Sequence, residues 1–304
     1  MSQTEPWTIG RLLRWTTDYL RQHGAETPRL DAEVLLAECR KCQRIELYTT
    51  FDELAAESLR GAYRELVRRR AAGTPVAYLV GHREFFALDF RVTPAVLIPR
   101  PETEFILLTL GDLVPGQDGR DRPLQIADVG TGSGVLAICA ARQLPSARIT
   151  ALDISPEALE VARGNAALHT VAERIEFLRS DLLEAIPAEP RFDFILSNPP
   201  YVSSAEFAEL AREVKDHEPR VALLAGDTGQ EVIARLIPQS AERLQGGGWL
   251  ICEISPMLEQ AVHQLIQADG RFEIPSTVKD LARLARVVKA RRRAGRRGLA
   301  ETAQ

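Results

Sequence analysis

From residue 124 onward, short apolar runs alternate with segments of helical period, and this alternation constrains the chain more than any other feature. Residues 124–129, 149–152, 175–178 and 192–196 read as strands, with helices over 135–142 and 156–168 between them. A helix over 230–244 then precedes a strand over 249–254, and a helix from Met257 leads to two short strands. Strands separated by helices cannot pair as tight hairpins. Each crosses over to lie parallel to its predecessor, which predicts an α/β fold with a doubly wound, mostly parallel sheet. Such sheets bind ligands beyond the carboxyl ends of their strands, so the residues that follow each strand are the ones to read for chemistry.

Residues 1–74 follow a different pattern and predict a small helical domain for docking or support. Thr8 can cap a helix carrying Ile9, Leu12, Leu13, Trp15 and Leu20, with Gly24 to end it. Thr27 followed by Pro28 starts a second helix, and Leu54, Leu59, Tyr63, Leu66 and Val67 lie on a third that begins near Asp52. Residues 75–104 place Phe85, Phe86, Phe90 and Val92 among Gly81 and Pro94, which reads as a β-hairpin and linker. Arg100, between Pro99 and Pro101, is awkward to place in a core and is expected to face a cleft. Residues 105–290 hold the α/β domain, with a surface loop over 111–123. The last stretch, 291–304, carries Arg291, Arg292, Arg293, Arg296 and Arg297 and reads as a disordered basic tail, with an RNA or ribosome contact as the other reading.

Composition removes several function classes. The 304 residues are 45% hydrophobic and 26% charged, enough for a large core without a metal or disulfide. A net charge of −4 is not that of a nucleic-acid polycation. Cys39 and Cys42 form a C-x-x-C with no second pair, and the five histidines show no ligand spacing, so no metal is expected. Residues 1–7 lack an apolar signal core, and no apolar run reaches the ~18–20 residues of a membrane span; both point to a cytoplasmic protein.

The chemistry concentrates after the strands. Asn198-Pro199-Pro200-Tyr201 follows the apolar run 192–196, and the first proline must end that strand because it cannot donate to a ladder. Proline also holds Asn198 extended. The Asn198 carboxamide and the Pro199 carbonyl then offer acceptors side by side, with an aromatic ring close by. Such a corner suits a planar NH2 group, whether an amide or the exocyclic amine of a base, although a plain strand-ending turn would read the same. Asp128 and the loop Gly130-Thr131-Gly132-Ser133-Gly134 follow another strand and open a helix. The glycines allow a tight turn and close approach of a ligand to backbone N–H groups. Their spacing is not that of the dinucleotide fingerprint, and Asp128 would repel a phosphate but suits a cation, which favours S-adenosylmethionine over NAD. Asp153, about twenty residues on, is placed to accept from ribose hydroxyls. Asp181 can accept from an adenine amine, with Leu182 against the ring.

Together these segments resemble the PrmC (HemK) family of peptide chain release factor glutamine methyltransferases. The resemblance runs over residues 7–290. It includes Arg29-Leu30-Asp31-Ala32-Glu33-Val34-Leu35-Leu36, Gly73-Thr74-Pro75-Val76-Ala77-Tyr78-Leu79-Val80-Gly81 and Glu84-Phe85. It continues through Val96-Leu97-Ile98-Pro99-Arg100-Pro101-Glu102-Thr103-Glu104, the discriminating part, and then Asp128 to Gly134, Ala151-Leu152-Asp153-Ile154-Ser155 and Asn198 to Tyr201. Glu218-Pro219-Arg220 and Gly226-Asp227-Thr228-Gly229 complete it. Ala87 and Ala225 stand where many relatives carry glycine, and Leu182 where some place an aromatic.

The resemblance implies a class I S-adenosylmethionine-dependent methyltransferase: a Rossmann-like, seven-stranded sheet with an N-terminal helical domain joined by a hairpin. It implies transfer of the methyl group to the side-chain amide nitrogen of the Gly-Gly-Gln glutamine of class 1 release factors, leaving S-adenosylhomocysteine. Asn198 and Pro199 would orient that nitrogen, with Pro200, Tyr201 and Arg100 at the glutamine. Gly130, Thr131, Gly132, Ser133, Gly134, Asp128, Asp153, Asp181, Leu182 and Asn198 would hold the cofactor. A monomer with no stable nucleic-acid partner is expected. Asn-Pro-Pro-Tyr alone is shared with enzymes that methylate adenine or guanine, and a non-catalytic S-adenosylmethionine-binding adaptor is the remaining alternative.

Overall fold

A computed structural model describes residues 6–114 and 122–294. The chain divides into two compact units, Met1–His82 with Ala211–His217, and Arg83–Leu210 with Glu218–Gln304. The first unit contains α1 (Ile9–Gln22), α2 (Pro28–Arg40), α3 (Glu46–Thr49), α4 (Glu57–Ala71) and α5 (Val76–Val80). The Thr8 hydroxyl caps α1 by accepting from the Arg11 N–H at 3.2 Å. Pro28 opens α2 as expected, but the Thr27 hydroxyl donates to Asp31 Oδ1 at 2.8 Å and leaves the backbone uncapped. Leu13, Leu35, Leu36 and Tyr63 form the wholly buried centre of this unit. Asp31 is also buried and is held there by Arg70 at 2.7 Å. Arg70 reaches Glu213 at 2.8 Å as well, which ties the sequence-distant segment 211–217 into the same unit.

Two expectations for this region are corrected. The third helix begins at Glu57, not near Asp52, and Leu54 is exposed. Residues 76–80 form a helical turn and not part of a hairpin, because Pro75 starts it and Gly81, at φ +83°, ends it in the left-handed region.

The hairpin itself is β1 (His82–Phe85) and β2 (Leu88–Arg91). The second unit continues with α6 (Glu104–Leu113), β3 (Gln125–Val129), α7 (Val135–Gln143), β4 (Arg148–Asp153), α8 (Pro156–Leu168), β5 (Ile175–Arg179) and β6 (Phe192–Ser197). Next come β7 (Val202–Ser203), α9 (Ser204–Glu209), α10 (Arg212–Lys215, in the first unit) and β8 (Leu224–Gly226). The chain closes with α11 (Glu231–Arg243), β9 (Leu244–Glu253), α12 (Glu259–Asp269), β10 (Ser276–Lys279) and β11 (Ala285–Arg291). Among the described residues the main sheet has seven strands in the order β10-β11-β9-β6-β3-β4-β5. The five from β9 to β5 run parallel, and β11 is antiparallel to both of its neighbours. All six residues of β6 are buried, as a strand covered on both faces requires. The order reverses at β3, which has β4 on one side and β6 on the other, and this places the crevice at the carboxyl ends of those strands.

The register makes the strands end level. Val129 lies opposite both Leu152 and Ser197, and Ser197 lies opposite Cys252. The next residue of each strand therefore emerges in one row: Asp153, Gly130, Asn198 and Glu253. Ser197 reinforces the alignment by donating its hydroxyl to the Val129 carbonyl at 2.7 Å.

The basic tail also needs correction. Arg291 pairs with Trp249 in the ladder, Arg292 bridges Phe272, and the Arg293 side chain donates to the Phe272 carbonyl at 2.8 Å. These three arginines end and extend β11, which lies between β10 and β9, and their backbone is hydrogen-bonded on both sides. Arg296 and Arg297 lie outside the described residues. The expected loop 111–123 is helical at its start, since α6 runs to Leu113, and its residues 115–121 also lie outside the description. Among the described residues no helix is long and apolar enough to cross a membrane.

Phe86 and Ala87 turn the hairpin at φ +50° and +56°. Both lie in the left-handed region that the two-residue hairpin turn demands and that a Cβ disfavours. Ala87→Gly removes that strain at the cost of some chain entropy, and it is expected to stabilise the protein by about 0.5–1 kcal/mol. Urea denaturation of the two proteins, with equal slopes, measures the difference.

Candidate active site

The crevice at the switch point is a cavity within the second unit. It is lined by Arg100, Thr103, Gly130, Thr131, Gly132, Ser133, Asp153, Asp181, Leu182, Asn198 and Pro200, with Val221 and Arg235 at one side. The residues singled out at the ends of four different strands therefore meet in one place. Four do not line it: Asp128, Gly134, Pro199 and Tyr201.

The glycine loop forms where β3 stops and α7 starts. Gly130, Gly132 and Gly134 have φ of +75°, +54° and +85°. At Gly134 a Cβ would come within 3.0 Å of Ile138 Cδ1 and 3.2 Å of Ala162 Cβ, so the loop needs glycine there to pack on the helices. At Gly132 a Cβ would meet nothing within 4 Å, so its backbone faces open space on the cleft side. The Gly130 and Thr131 N–H groups both donate to the Leu152 carbonyl, at 2.8 and 2.9 Å.

Asp128 is not where a cationic ligand could meet it. Its carboxyl is wholly buried behind the loop, where Oδ2 accepts from the Thr131 hydroxyl at 2.6 Å and from the Ala137 N–H at 3.0 Å. Oδ1 has no partner among the described residues. Burial pushes this carboxyl up to about 7, against the pull of those two hydrogen bonds. The acid straps the loop and does not line the cleft. The strap was not legible because a residue's spacing from a glycine loop does not say to which side of the strand it points.

Asp153 does line the cleft. Oδ2 accepts from the Gly132 N–H at 2.8 Å and Oδ1 from the Ser155 N–H at 3.0 Å. Burial raises its pKa, while those N–H groups favour the charged form. Each oxygen keeps a second lone pair, so the carboxylate is fixed in position and still able to accept from a diol. Asp181 reaches the cleft from the loop after β5, where Arg235 of α11 pairs with it at 2.7 Å. Leu182 beside it sits at φ +51°, strain of a kind found where a backbone is held for a ligand. The lining thus combines apolar surface, exposed loop backbone and two carboxylates. An adenosine with a cationic methionine fits these groups, whereas a pyrophosphate would face the acids.

The opposite wall is the Asn-Pro-Pro-Tyr corner. Asn198 Nδ2 donates to the Thr103 hydroxyl at 3.0 Å, while Asn198 Oδ1 has no partner among the described residues. Pro199 is buried. Tyr201 turns away from the cavity and donates its hydroxyl to Glu253 Oε1 at 3.1 Å. The corner is packed from behind by Gly229, where a Cβ would lie 2.7 Å from the Tyr201 carbonyl oxygen. Arg100 lines the cavity and pairs with Glu218 at 2.5 Å. Glu218 is buried and also accepts from the Ile98 N–H at 3.2 Å, so it braces the backbone that carries Arg100. Thr103, Glu218 and Glu253 carry contacts that residue-by-residue reading missed. Only Glu253 carried a sequence signal, a lone acid closing the apolar run Leu250-Ile251-Cys252; Thr103 and Glu218 lie among polar residues and are placed by tertiary contact.

Residues 11–81 match the PrmC N-terminal domain model and residues 115–216 the methyltransferase small domain model. The release factor glutamine methyltransferase of Rhodopirellula baltica is 48% identical over 288 residues, 94% of this chain and 97% of that protein. Those of Koribacter versatilis and Moorella thermoacetica are each 41% identical, over 90% and 94% of this chain and 95% and 99% of theirs. In fold the chain is similar to the T. thermophilus 16S rRNA N2 methyltransferase in complex with AdoMet and guanosine, with TM-score 0.52 and 22% identity over 70% of this chain and 50% of that one. It is similar also to the hMettl16 catalytic domain in complex with an RNA hairpin, with TM-score 0.54 and 18% identity over 75% and 82% of the two chains. The fold is that of the class I S-adenosylmethionine-dependent methyltransferases. With near full-length identity of this size, the chain belongs to the release factor glutamine methyltransferase family.

Proposed function

We propose that this chain transfers a methyl group from S-adenosylmethionine to the side-chain amide nitrogen of a release-factor glutamine, in the Gly-Gly-Gln motif of class 1 factors. The observation that carries the reading is Asn198: its Nδ2 is committed to Thr103, and its Oδ1 is unbonded on the wall facing the glycine loop.

An amide nitrogen is a weak nucleophile because its lone pair is delocalised into the carbonyl. S-adenosylmethionine supplies an activated methyl group, so what the protein must contribute is position. Asn198 Oδ1 and the Pro199 carbonyl accept the two amide hydrogens and aim the nitrogen across the cleft; holding reactants in line contributes up to ~7–11 kcal/mol. These acceptors also favour the pyramidal nitrogen of the transition state. Asp153 binds the ribose hydroxyls, Asp181 accepts from the adenine amine once Arg235 yields, and Leu182 covers the ring. Gly130 to Gly134 let the ligand lie against the backbone. Pro200 and Arg100 shape the glutamine pocket and exclude water, while Tyr201 holds the corner from behind through Glu253. Asp128 acts from behind, by holding the loop.

Docking of the release factor falls to the helical unit, none of whose residues lines the cavity. The enzyme works as a cytoplasmic monomer and needs no stable nucleic-acid partner. An amino-methyltransferase acting on adenine or guanine in nucleic acid is the rival reading. Labelled cofactor incubated with release factor, RNA or DNA separates the two, because only one class of polymer takes up the label.

Asn198→Ala is expected to lower single-turnover methylation by about two to three orders of magnitude, the typical loss for a group that acts on the transition state. Cofactor affinity, measured separately by calorimetry, should stay within a few-fold. A near-native rate would remove Asn198 from this role. Asp153→Ala is expected to weaken cofactor binding by roughly tenfold to a hundredfold, through loss of charged hydrogen bonds of about 1.5–3 kcal/mol. Unchanged affinity in the same titration would contradict its ribose assignment.

A further inference from the structure

Asn165 lies on α8 and is wholly buried, where a carboxamide costs free energy unless its polar atoms have partners. All of them do. Oδ1 accepts from the Arg91 N–H at 2.9 Å, and Nδ2 donates to the Arg91 carbonyl at 2.9 Å and to the Ser133 carbonyl at 2.8 Å. This set fixes the orientation of the side chain, since the flipped amide would set N–H against N–H and oxygen against two carbonyls. Arg91 ends β2 of the hairpin, and Ser133 belongs to the glycine loop and lines the cavity.

The Ser133 carbonyl needs that donor for a local reason. Its partner in a regular helix would be the N–H four residues on, at Ala137, but that N–H donates to Asp128 Oδ2 at 3.0 Å. Asp128 and Asn165 thus satisfy the two halves of a helical bond that the loop leaves open. α8 also packs on the loop here, because a Cβ at Gly134 would lie 3.2 Å from Ala162 Cβ, one turn before Asn165. The hairpin needs its anchors as well, since two strands alone are marginal in water. Glu104 Oε1 of α6 accepts from the Phe86 N–H at 3.0 Å, and His169 Nε2, one turn after Asn165, lies 2.9 Å from the Asp89 carbonyl oxygen. Of these three side chains, Asn165 is the one hydrogen-bonded to the glycine loop as well.

We propose that Asn165 is a positioning residue for the cofactor loop, and that through it the hold of the loop on S-adenosylmethionine depends on the hairpin. The inference rests on the reading of Gly130 to Gly134 as the seat of the cofactor. With the carboxamide in place the Ser133 carbonyl is drawn towards α8, which keeps the backbone around Gly132 turned to the cleft. The same carboxamide is tied to both polar groups of Arg91, so it cannot follow the loop without leaving them unpaired, nor follow the hairpin without releasing Ser133. Loop and hairpin therefore move together or lose buried hydrogen bonds. Coupling of this kind is reciprocal: a ligand that fixes the loop steadies the hairpin, and a loosened hairpin weakens the ligand.

The test compares wild type, Asn165→Ala, Glu104→Ala and the double variant for cofactor affinity by calorimetry and for turnover of release factor. Asn165→Ala is expected to weaken cofactor binding roughly tenfold to a hundredfold, the range that one lost buried hydrogen bond spans, with kcat at saturating cofactor within about threefold. The split follows because the Asn198 corner is untouched. Glu104→Ala, which loosens the hairpin turn from a different helix, should weaken binding about threefold to tenfold in wild type and add nothing in the Asn165→Ala background. Wild-type affinity in Asn165→Ala would overturn the proposal, as would an effect of Glu104→Ala that is nil or the same in both backgrounds. Amide exchange on wild type decides the matter even if Asn165→Ala does not fold. S-adenosylhomocysteine should slow exchange at the Phe86 and Arg91 N–H groups more than at the amides of β11, and equal slowing at both overturns the coupling. Failure of the ligand to protect any loop amide would instead refute the loop as its seat. The ligand-free proteins then decide the link: Glu104→Ala should speed exchange at the Gly134 N–H, and an unchanged Gly134 overturns it.

Discussion

The level ending of four parallel strands is the constraint on which the site depends. Leu152, Val129, Ser197 and Cys252 are neighbours across the sheet, and each is followed at once by a residue with work to do. Strand register is all-or-none: a slip of one residue turns every side chain to the other face. The buried apolar residues of β3, β4, β6 and β9 therefore set the positions of Gly130, Asp153, Asn198 and Glu253 together. Ser197 adds a specific lock at the midpoint, since its hydroxyl meets the Val129 carbonyl and joins the base of the glycine loop to the base of the asparagine corner.

Around that row the protein uses acids in two ways. Asp31, Glu33, Asp193 and Glu218 are buried with an arginine partner each, as burial of a charge requires. Among the described residues Asp128 and Glu253 have no such partner in contact, and they sit in the row or directly behind it. Their raised pKa values have a sign that counts against the fold. An ordinary carboxyl ionises near pH 4, whereas these two hold their protons to about 7, so the native state binds more protons than the unfolded chain in between. Their contribution to stability is full in acid and is lost as pH rises through that window. A chain selected for stability alone would place an apolar or amide residue at each position. Retained acids of this kind mark places where local rules of folding yield to function.

The cofactor half of the site was largely legible in the sequence, and the reason is physical. Its parts are short-range: a strand, a glycine turn and a helix start within residues 125–135, then an acid at the end of the next strand. Periodicity located β3, β4, β5, β6 and the helices between them to within a residue or two. What failed to show was anything decided by tertiary contact. The helical turn 76–80 looked like strand because five apolar residues have no period of their own. The side to which Asp128 points depends on which face of β3 the loop folds over. Arg291 to Arg293 read as solvated charge because the strand they complete pairs with residues some forty positions earlier, at Trp249 and Gly247.

The substrate half is built the other way. Its wall is assembled from Arg100 and Thr103, from Asn198 to Tyr201, and from Glu218 to Leu224, which meet only in the folded chain. The two ends of the cleft therefore carry different information. On the proposed reading a flat NH2 group meets the same acceptors on Asn198 and Pro199 whether it belongs to an amide or a base, so the corner by itself does not select the substrate. Discrimination must come from what surrounds the group carrying that nitrogen. A purine would need room and a stacking partner for a fused ring beside Asn198, whereas a glutamine needs a narrow passage for two methylenes. The Arg100–Glu218 pair and the Pro219 to Ala222 turn occupy that wall and brace one another, so the width of the passage is set by a buried acid on one segment and an arginine clamped between two prolines on another.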